Sequence, residues 1–257
     1  MDELASYRDD PTLLVYEARD ARDVRRIRRE VEGRRWAADH GIPTAETVAK
    51  ARDDRWLVTR WIPEEPSESL DYVAAAHEMA QRIERLPRPR FVTPGSSWRA
   101  PRWSRPVRVG RLLAAGLDPR TFVRTRRAYD ELPREVTLHN DYHRQNVLNT
   151  TAARGHVTVV DWEFTAVGPR HQDMVRLVVD LRDPGLAREA WELLLRSVPG
   201  ADHAALAAQL RWLALRTYAT ELTVPRRDRD PAQSARRRAR WRDAQEWAGE
   251  LTPAPGR

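Results

Sequence analysis

The chain has 257 residues, a length typical of one large domain or two smaller ones. Its ten tryptophans and its periodic apolar segments exclude a wholly disordered chain. The absence of cysteine excludes disulfide scaffolds, zinc fingers and thiol catalysis. No apolar run approaches the ~18 residues that span a bilayer, and the N-terminus lacks the apolar region of a signal peptide. We therefore expect a soluble cytoplasmic protein with no membrane partner.

The charge is carried almost entirely by arginine. Basic residues number 45 against 38 acidic ones, a net charge of +7, and Lys50 is the only lysine. Two clusters, at residues 19–35 and 226–242, contain eight arginines each, with Asp and Glu interspersed. This pattern favours solvated helix faces with intrahelical ion pairs. A surface that binds nucleic acid or another polyanion is the less favoured alternative.

The N-terminal quarter of the sequence predicts a small α+β region. Residues 12–18 are β-branched and apolar, as in a strand, and residues 20–40 follow as a helix that Gly41 ends. One stripe of that helix carries its larger apolar side chains: Val24, Ile27, Val31 and Trp36. Residues 47–50 and 55–61 predict a strand pair joined by a turn at Asp53 and Asp54.

The rest of the chain is mostly helical. Residues 63–69 have the composition of a linker, 69–86 predict a helix and 87–107 are irregular. Short strands are expected at 136–138, 147–149 and 156–160, with a turn at 150–155 between the last two. Further helices are expected at 171–182, 187–197, 202–223 and 231–250. The fold class is therefore α+β.

The most informative stretch begins at His139. Asp141 follows two residues later, Asn146 five residues after that, and Asp161 ends an apolar strand. Phosphoryl transfer needs a carboxylate that takes the proton of the acceptor hydroxyl, and further oxygen ligands that hold Mg²⁺ against the nucleotide phosphates. A hairpin between the loop and Asp161 would bring these side chains together. The spacing matches the catalytic loop and metal-binding Asp of kinases.

These residues carry a family resemblance. HNDYHRQNVL followed by VTVVDWE resembles the aminoglycoside phosphotransferase and choline kinase family, a branch of the protein-kinase-like fold. IRREVEGRRWAADHGIPTAETV is similar to the family's helix and the segment after it, and RWLVTRWIPE to its adenine-holding strand and hinge. GPRHQDMVRLVVD is similar to the segment after the metal-binding Asp. The resemblance covers roughly residues 12–180.

The resemblance implies a bilobal fold with a shortened N-terminal nucleotide-binding lobe at 1–62 and a catalytic and acceptor-binding lobe at 63–257. It also implies a role for each matching residue. Asp141 would be the catalytic base, braced by His139 as a structural residue of the catalytic loop. Asn146 and Asp161 would bind Mg²⁺, with Glu163 as an auxiliary acidic group. Glu30 matches the helix glutamate that pairs with a phosphate-binding lysine, and Trp61 and Ile62 would lie beside the adenine.

Three features depart from the family pattern. Only Gly33 and Gly41 precede the hinge, and both belong to the helix and its end, so the glycine-rich loop over the phosphates is missing. The strand at 12–18 carries no lysine; Arg19 lies near the expected place, although a guanidinium does not replace an ammonium conservatively. Asn140 stands where the family usually has glycine.

Three explanations of these departures stay open: an upstream start, a nucleotide held differently by Arg19 or other arginines, or a lobe that no longer transfers phosphate. The leading interpretation is an ATP- or GTP-dependent kinase of a small hydroxylated molecule, and the alternative is a catalytically silent kinase-like binding protein.

The acceptor would bind to the helical portion after residue 165 and parts of 87–130, where Trp98 and Trp103 are candidates to line its pocket. The sequence leaves open the acceptor, the nucleotide and the oligomeric state.

Overall fold

The computed structural model describes residues 4–63, 68–92, 110, 112–114, 116–150, 157–224 and 226–251. Most of the segments expected as the linker, the irregular stretch and the turn after residue 150 lie outside these residues, and so do Trp98 and Trp103. The chain divides into two compact units. The first comprises residues 1–96 and 135–168, and the second comprises 97–134 and 169–257. The lobe boundary after residue 62 differs from this division and stays a prediction.

A three-stranded antiparallel sheet opens the first unit. A short helix α1 (Ala5–Arg8) precedes β1 (Leu13–Glu17), and β2 (Thr47–Lys50) and β3 (Trp56–Arg60) complete the sheet in the order β1-β3-β2. Val15 of β1 lies opposite Val58 of β3, as β-branched residues favour. The strands expected at 12–18, 47–50 and 55–61 therefore form as predicted.

Helix α2 (Ala21–Asp39) connects β1 to β2. Asp20 caps it by accepting hydrogen bonds from the backbone N–H groups of Arg22 and Asp23. Gly41, at φ +70°, ends it in the left-handed conformation that glycine adopts readily. The buried face of α2 is more polar than the apolar stripe expected from the sequence, and it consists of Ile27, Glu30, Gly33, Arg34 and Ala37.

Four short strands and one helix complete the first unit. Helix α3 (Leu70–Glu84) packs against β4 (Val136–Leu138) and β6 (Val157–Val159). β4 pairs with β7 (Ala166–Gly168), and β5 (Val147–Asn149) pairs with β6, both antiparallel. A 3₁₀ turn at Trp162–Phe164 lies between β6 and β7. β7 has only three residues and was not expected from the sequence.

The described part of the second unit is helical. Its helices are α4 (Pro119–Asp130), α5 (Gln172–Asp180), α6 (Pro184–Ser197), α7 (His203–Thr223) and α8 (Pro231–Glu250). Three of them begin with an Asp-Pro pair, in which the aspartate accepts a backbone N–H and proline occupies the first turn: Asp118, Asp183 and Asp230. α7 packs against α4, α5 and α8, which makes it the central helix of the described part of this unit. In the described part of the chain, no helix is long and apolar enough to cross a membrane.

Gly33 sets the distance between α2 and the 3₁₀ turn that carries Trp162. A Cβ atom at position 33 would lie 2.6 Å from Trp162 Cβ and 2.9 Å from the Trp162 carbonyl oxygen. Real Cβ atoms do not approach other atoms this closely, so either the helix or the turn would have to move. Since Trp162 is fully buried, the glycine is required by close packing rather than by its backbone angles.

We expect Gly33→Ala to lower the free energy of unfolding by about 1–3 kcal/mol, because overpacking outweighs the better helix propensity of alanine. The matched control is Gly249→Ala in α8, where a Cβ would meet nothing within 4 Å. The control should leave stability unchanged or raise it by less than ~1 kcal/mol. Urea unfolding of both variants measures the difference. Equal stability of the two variants would contradict the close-packing requirement.

Candidate active site

The loop between β4 and β5 is anchored by His139. This side chain is fully buried, contacts the ring of Trp162 edge to face at 4.8 Å, and its Nε2 donates to the Val160 carbonyl oxygen at 2.9 Å. Burial lowers the pKa of His139 to about 4, so the imidazole is neutral at physiological pH and donates as an N–H group. The bond ties the start of the loop to the end of β6, which agrees with the bracing role expected of this residue.

Asn140 has the left-handed backbone that a glycine would provide. Its φ is +67°, a conformation that asparagine tolerates better than most non-glycine residues. Its side-chain Nδ2 donates to the Phe164 carbonyl oxygen at 3.1 Å. The exchange of glycine for asparagine is therefore compatible with the turn of the loop, and it adds a link to the segment after Asp161.

The β5–β6 hairpin brings Asp141, Asn146 and Asp161 together. Val160 N–H donates to the Asn146 carbonyl oxygen at 2.9 Å, directly beyond the paired strands. Asn146 Nδ2 lies 3.0 Å from the Asp141 carbonyl oxygen and 3.5 Å from one carboxylate oxygen of Asp141 and of Asp161. The convergence that the spacing predicted is thus present, with the amide between the two carboxylates.

His143 is a further neighbour of Asp141. Its Nε2 lies 3.4 Å from Asp141 Oδ2, and its Nδ1 accepts the backbone N–H of Gln145 at 3.3 Å. Because Nδ1 is the acceptor, Nε2 carries the proton and faces the carboxylate.

Negative charge accumulates around Asp161. Burial raises the pKa of Asp161 to about 7, and repulsion from other carboxylates adds to the effect. Those carboxylates belong to Glu30, Glu163 and Asp141. The backbone of Asp161 also has a left-handed conformation, with φ +64°, which is uncommon for a residue other than glycine and is concentrated at functional sites. These features favour a cation beside Asp161.

Two arginines of α2 compensate part of this charge. Arg26 donates to both carboxylate oxygens of Glu163, at 2.6 and 2.5 Å. Arg34 Nε donates to Glu30 Oε1 at 2.5 Å, one helical turn away. Glu30, which the family resemblance would pair with a lysine, is therefore paired with an arginine of its own helix.

The donor set suits a hard cation but is incomplete by itself. In the described part of the chain, no group of three or more His, Cys, Asp or Glu side chains is placed to hold a metal ion. Asp161 and Asn146 offer carboxylate and amide oxygens, the ligand types that Mg²⁺ takes together with water and phosphate oxygens. Both oxygens of Glu163 already accept hydrogen bonds from Arg26.

A cavity of about 720 Å³ lies in the first unit and includes these groups. Its polar lining includes Asn146, Asp161, Glu163 and Glu30, and its apolar lining includes Leu14, Ala45, Leu57, Leu148, Trp61 and Ile62. Trp61 is half-exposed, and its backbone N–H already donates to the Thr12 carbonyl oxygen at 2.7 Å. Trp61 and Ile62 thus lie on the cavity, as expected of residues beside a nucleotide base.

The β1 strand and the two residues after it present Tyr16 and Arg19 to the cavity, and no lysine. Arg19 lines the cavity but is exposed, and its backbone N–H donates to Asp23. The β1 side chain that lies beside Glu30 and Arg34 is that of Tyr16. The sequence interpretation missed Tyr16, Arg26 and Arg34. The spacing of 26, 30 and 34 on one helix face was a readable signal for the two arginines.

The raised pKa of Asp161 predicts that ionisation of this residue destabilises the metal-free fold. Between pH 3.8, the ordinary value, and about 7, the folded chain keeps a proton that the unfolded chain loses, so stability falls as pH rises through this window. In EDTA, we expect Asp161→Asn to be more stable than wild type by roughly 2–4 kcal/mol at pH 8, and by much less at pH 4.

Thermal and urea unfolding across pH 4–8 measures this difference. The control is Asp39→Asn, an exposed aspartate at the end of α2, which should change stability by no more than about 0.5 kcal/mol at any pH. A difference between Asp161→Asn and wild type that does not grow with pH would show that Asp161 ionises normally.

The chain was compared with known families and structures. The family model described as the phosphotransferase enzyme family matches residues 5–208. No curated protein matches the sequence. Among solved structures, an amicoumacin kinase hAmiN, in complex with AMP-PNP, Ca²⁺ and Ami, is 14% identical with a TM-score of 0.60. The match covers 93% of this chain and 85% of that one.

Two further structures share the fold. A choline/ethanolamine kinase family protein from Mesorhizobium loti is 18% identical with a TM-score of 0.59, over 95% of this chain and 84% of that one. The gentamicin complex of APH(2")-IIa is 12% identical with a TM-score of 0.52, over 93% and 85%. These likenesses show the α+β, protein-kinase-like fold that was expected. Since the family model covers most of the sequence, this chain is a member of the phosphotransferase enzyme family.

Proposed function

We propose that this phosphotransferase moves the γ-phosphoryl group of ATP or GTP to a hydroxyl group of a small molecule, with Mg²⁺ as the required cation. The observation that carries the proposal is the convergence of Asp141, Asn146 and Asp161 at one end of the β5–β6 hairpin. Asn146 and Asp161 line a cavity large enough for a nucleotide. Membership in the family and the nucleotide complexes among structures of the same fold support the same reaction class.

Asp141 is the proposed catalytic base. Its carboxylate would accept the proton of the acceptor hydroxyl while the hydroxyl oxygen bonds to the γ-phosphorus and the bond from that phosphorus to the β–γ bridging oxygen breaks. The products are the phosphorylated acceptor and the nucleoside diphosphate. His143 Nε2, 3.4 Å from the carboxylate, helps to orient it, and His139 holds the loop.

Asn146 and Asp161 are the proposed Mg²⁺ ligands, with Glu163 as an auxiliary acidic group that Arg26 orients. Bound Mg²⁺ would supply positive charge that offsets the charge of the phosphates. The burial and the neighbouring carboxylates that together raise the pKa of Asp161 are the structural reason to expect a cation here. Trp61 and Ile62, together with Leu148 of β5, provide apolar surface for the base. Arg19 provides positive charge at the cavity margin.

The arginine clusters do not favour the alternative of a polyanion-binding protein. In the first cluster Arg26, Arg28 and Arg34 pair with acidic side chains, and in the second Arg236 and Arg237 do the same. Arg240 is buried and lies over the ring of Trp247. Much of the guanidinium charge is therefore compensated within the chain.

The first prediction of this proposal concerns binding. Calorimetric titration with ATP and with GTP should show micromolar affinity for at least one nucleotide in the presence of Mg²⁺. That affinity should fall at least tenfold without the cation or in Asp161→Ala, because one of its protein ligands is lost. Asp39→Ala serves as the control and should bind as wild type does. A wild type that binds neither nucleotide would favour the catalytically silent alternative, which the absent strand lysine and glycine-rich loop motivate.

The second prediction concerns turnover. With an acceptor found by screening amino alcohols, aminoglycosides, sugars and nucleosides for release of nucleoside diphosphate, Asp141→Asn should lower kcat by roughly 10²–10⁴-fold, because the general base is lost. Nucleotide affinity should change less than threefold, since Asp141 acts on the acceptor. Wild-type turnover in Asp141→Asn would refute the assignment of the base.

A further inference from the structure

Arg34 is a buried cation with unused hydrogen-bonding capacity. Its side chain is only 6% exposed, yet it lines the cavity. Its Nε donates to Glu30, whereas its Nη1 donates to no side chain or backbone group among the described residues. A buried donor without an acceptor destabilises the folded chain, and more so when it is charged. Such a donor at a cavity wall indicates an acceptor that arrives with a ligand.

Glu30, the ion-pair partner of Arg34, also has a buried polar atom without a hydrogen bond among the described residues. Glu30 is buried, its Oε2 accepts no hydrogen bond among the described residues, and burial raises its pKa. An ion pair that is desolvated on both sides contributes little to folding, since the loss of hydration offsets the attraction. The pair is better explained as a way to hold the guanidinium in one orientation at the cavity wall.

The other cavity arginines are less suited to contact an anion there. Arg26 is engaged by both oxygens of Glu163, and Arg60 is paired with Glu46 in an exposed position. Arg19, the candidate from the sequence, is exposed. Arg34 alone among these four cavity arginines is buried. Its planar fork matches phosphate oxygens, which accept two parallel N–H groups.

The neighbouring strand supplies no competing cation. Tyr16 of β1 lies beside the Arg34 guanidinium, whose positive charge opposes the rise that burial causes in the pKa of the phenol. A phenol carries no positive charge, and β1 contains no lysine or arginine. Among the described residues, the buried positive charge beside Glu30 on this side of the cavity is therefore that of Arg34 on helix α2.

We propose that Arg34, oriented by Glu30, is the residue that contacts the nucleotide phosphates in this cavity. This inference rests on the proposed function and adds to it the source of phosphate-binding charge. It also makes Glu30 a positioning residue, which acts through Arg34. Nucleotide binding would satisfy the Nη1 donor with a phosphate oxygen.

The test compares ATP, ADP and adenosine by calorimetry, each with Mg²⁺, on wild type and on Arg34→Met. We expect the affinity for ATP to fall about 10- to 100-fold, since a charged hydrogen bond is lost. The affinity for adenosine should change less than twofold. A residue with a merely structural role would weaken all three ligands alike, so the difference between ATP and adenosine identifies phosphate contact.

A second variant guards against misfolding. Arg34→Met leaves Glu30 buried and unpaired, whereas Glu30→Gln combined with Arg34→Met removes both charges and should restore the unfolding temperature. The double variant should still show the selective loss of ATP affinity. Arg60→Met is the matched control and should bind ATP within threefold of wild type, and Arg19→Met tests the competing candidate from the sequence.

The possible results separate the two proposals. If wild type binds ATP and both Arg34 variants bind it equally well, the role of Arg34 is refuted while the proposed function stands. The same holds if the selective loss occurs in Arg19→Met instead. If wild type binds no nucleotide, the proposed function fails, and the inference about Arg34 fails with it.

Discussion

Burial of Asp161 among neighbouring carboxylates is the constraint on which this site depends. Asp141, Asp161, Glu163 and Glu30 are close enough that each of the other three disfavours ionisation of Asp161. Two of them are compensated by arginines placed one turn to either side of Glu30 on α2, at positions 26 and 34. The charge of Asp161, which lines the cavity, is the part that a bound cation would offset.

Helix α2 can compensate this charge only because it approaches the 3₁₀ turn closely. Gly33 lies against Trp162, and the backbone of that turn leads directly from Asp161 to Glu163. A larger residue at 33 would push the helix away and lengthen the contact between Arg26 and Glu163. The close packing of Gly33 on Trp162 and the ion pair of Arg26 with Glu163 therefore join the same two elements. A substitution that disrupts the packing should also weaken the ion pair.

The convergence of the site residues was largely predictable from the sequence, because it depends on the local pattern of two short strands. The short strands at 147–149 and 157–159 define a hairpin, and hairpin register then brings Asn146 to Asp161. β7 was missed because three residues carry too little periodicity, and only its distant pairing with β4 defines it. Helix α4 was missed although Asp118 and Pro119 provided a capping signal.

The charge pairs of the cavity were harder to predict than the backbone. Helical spacing could have placed Arg26 and Arg34 on the face of Glu30, but spacing does not reveal which residue is buried. Strand alternation allowed Tyr16 either face of β1, and its position beside Arg34 follows only from how the sheet packs on α2. Tertiary context, not local preference, decided these contacts.

A phosphate-binding arginine on helix α2, in place of a strand lysine, would hold the nucleotide in a different way. A lysine on a strand reaches across the cavity on a flexible stem, whereas Arg34 is fixed by its bond to Glu30 and by burial. A preformed guanidinium loses less conformational entropy when it binds an anion. The resulting gain in binding free energy offsets part of the binding free energy that a covering loop would contribute. Residues 1–32 contain no glycine, so no glycine-rich loop lies between β1 and α2. A rigid cation in the cavity wall is therefore consistent with phosphate binding where β1 and α2 are joined without such a loop.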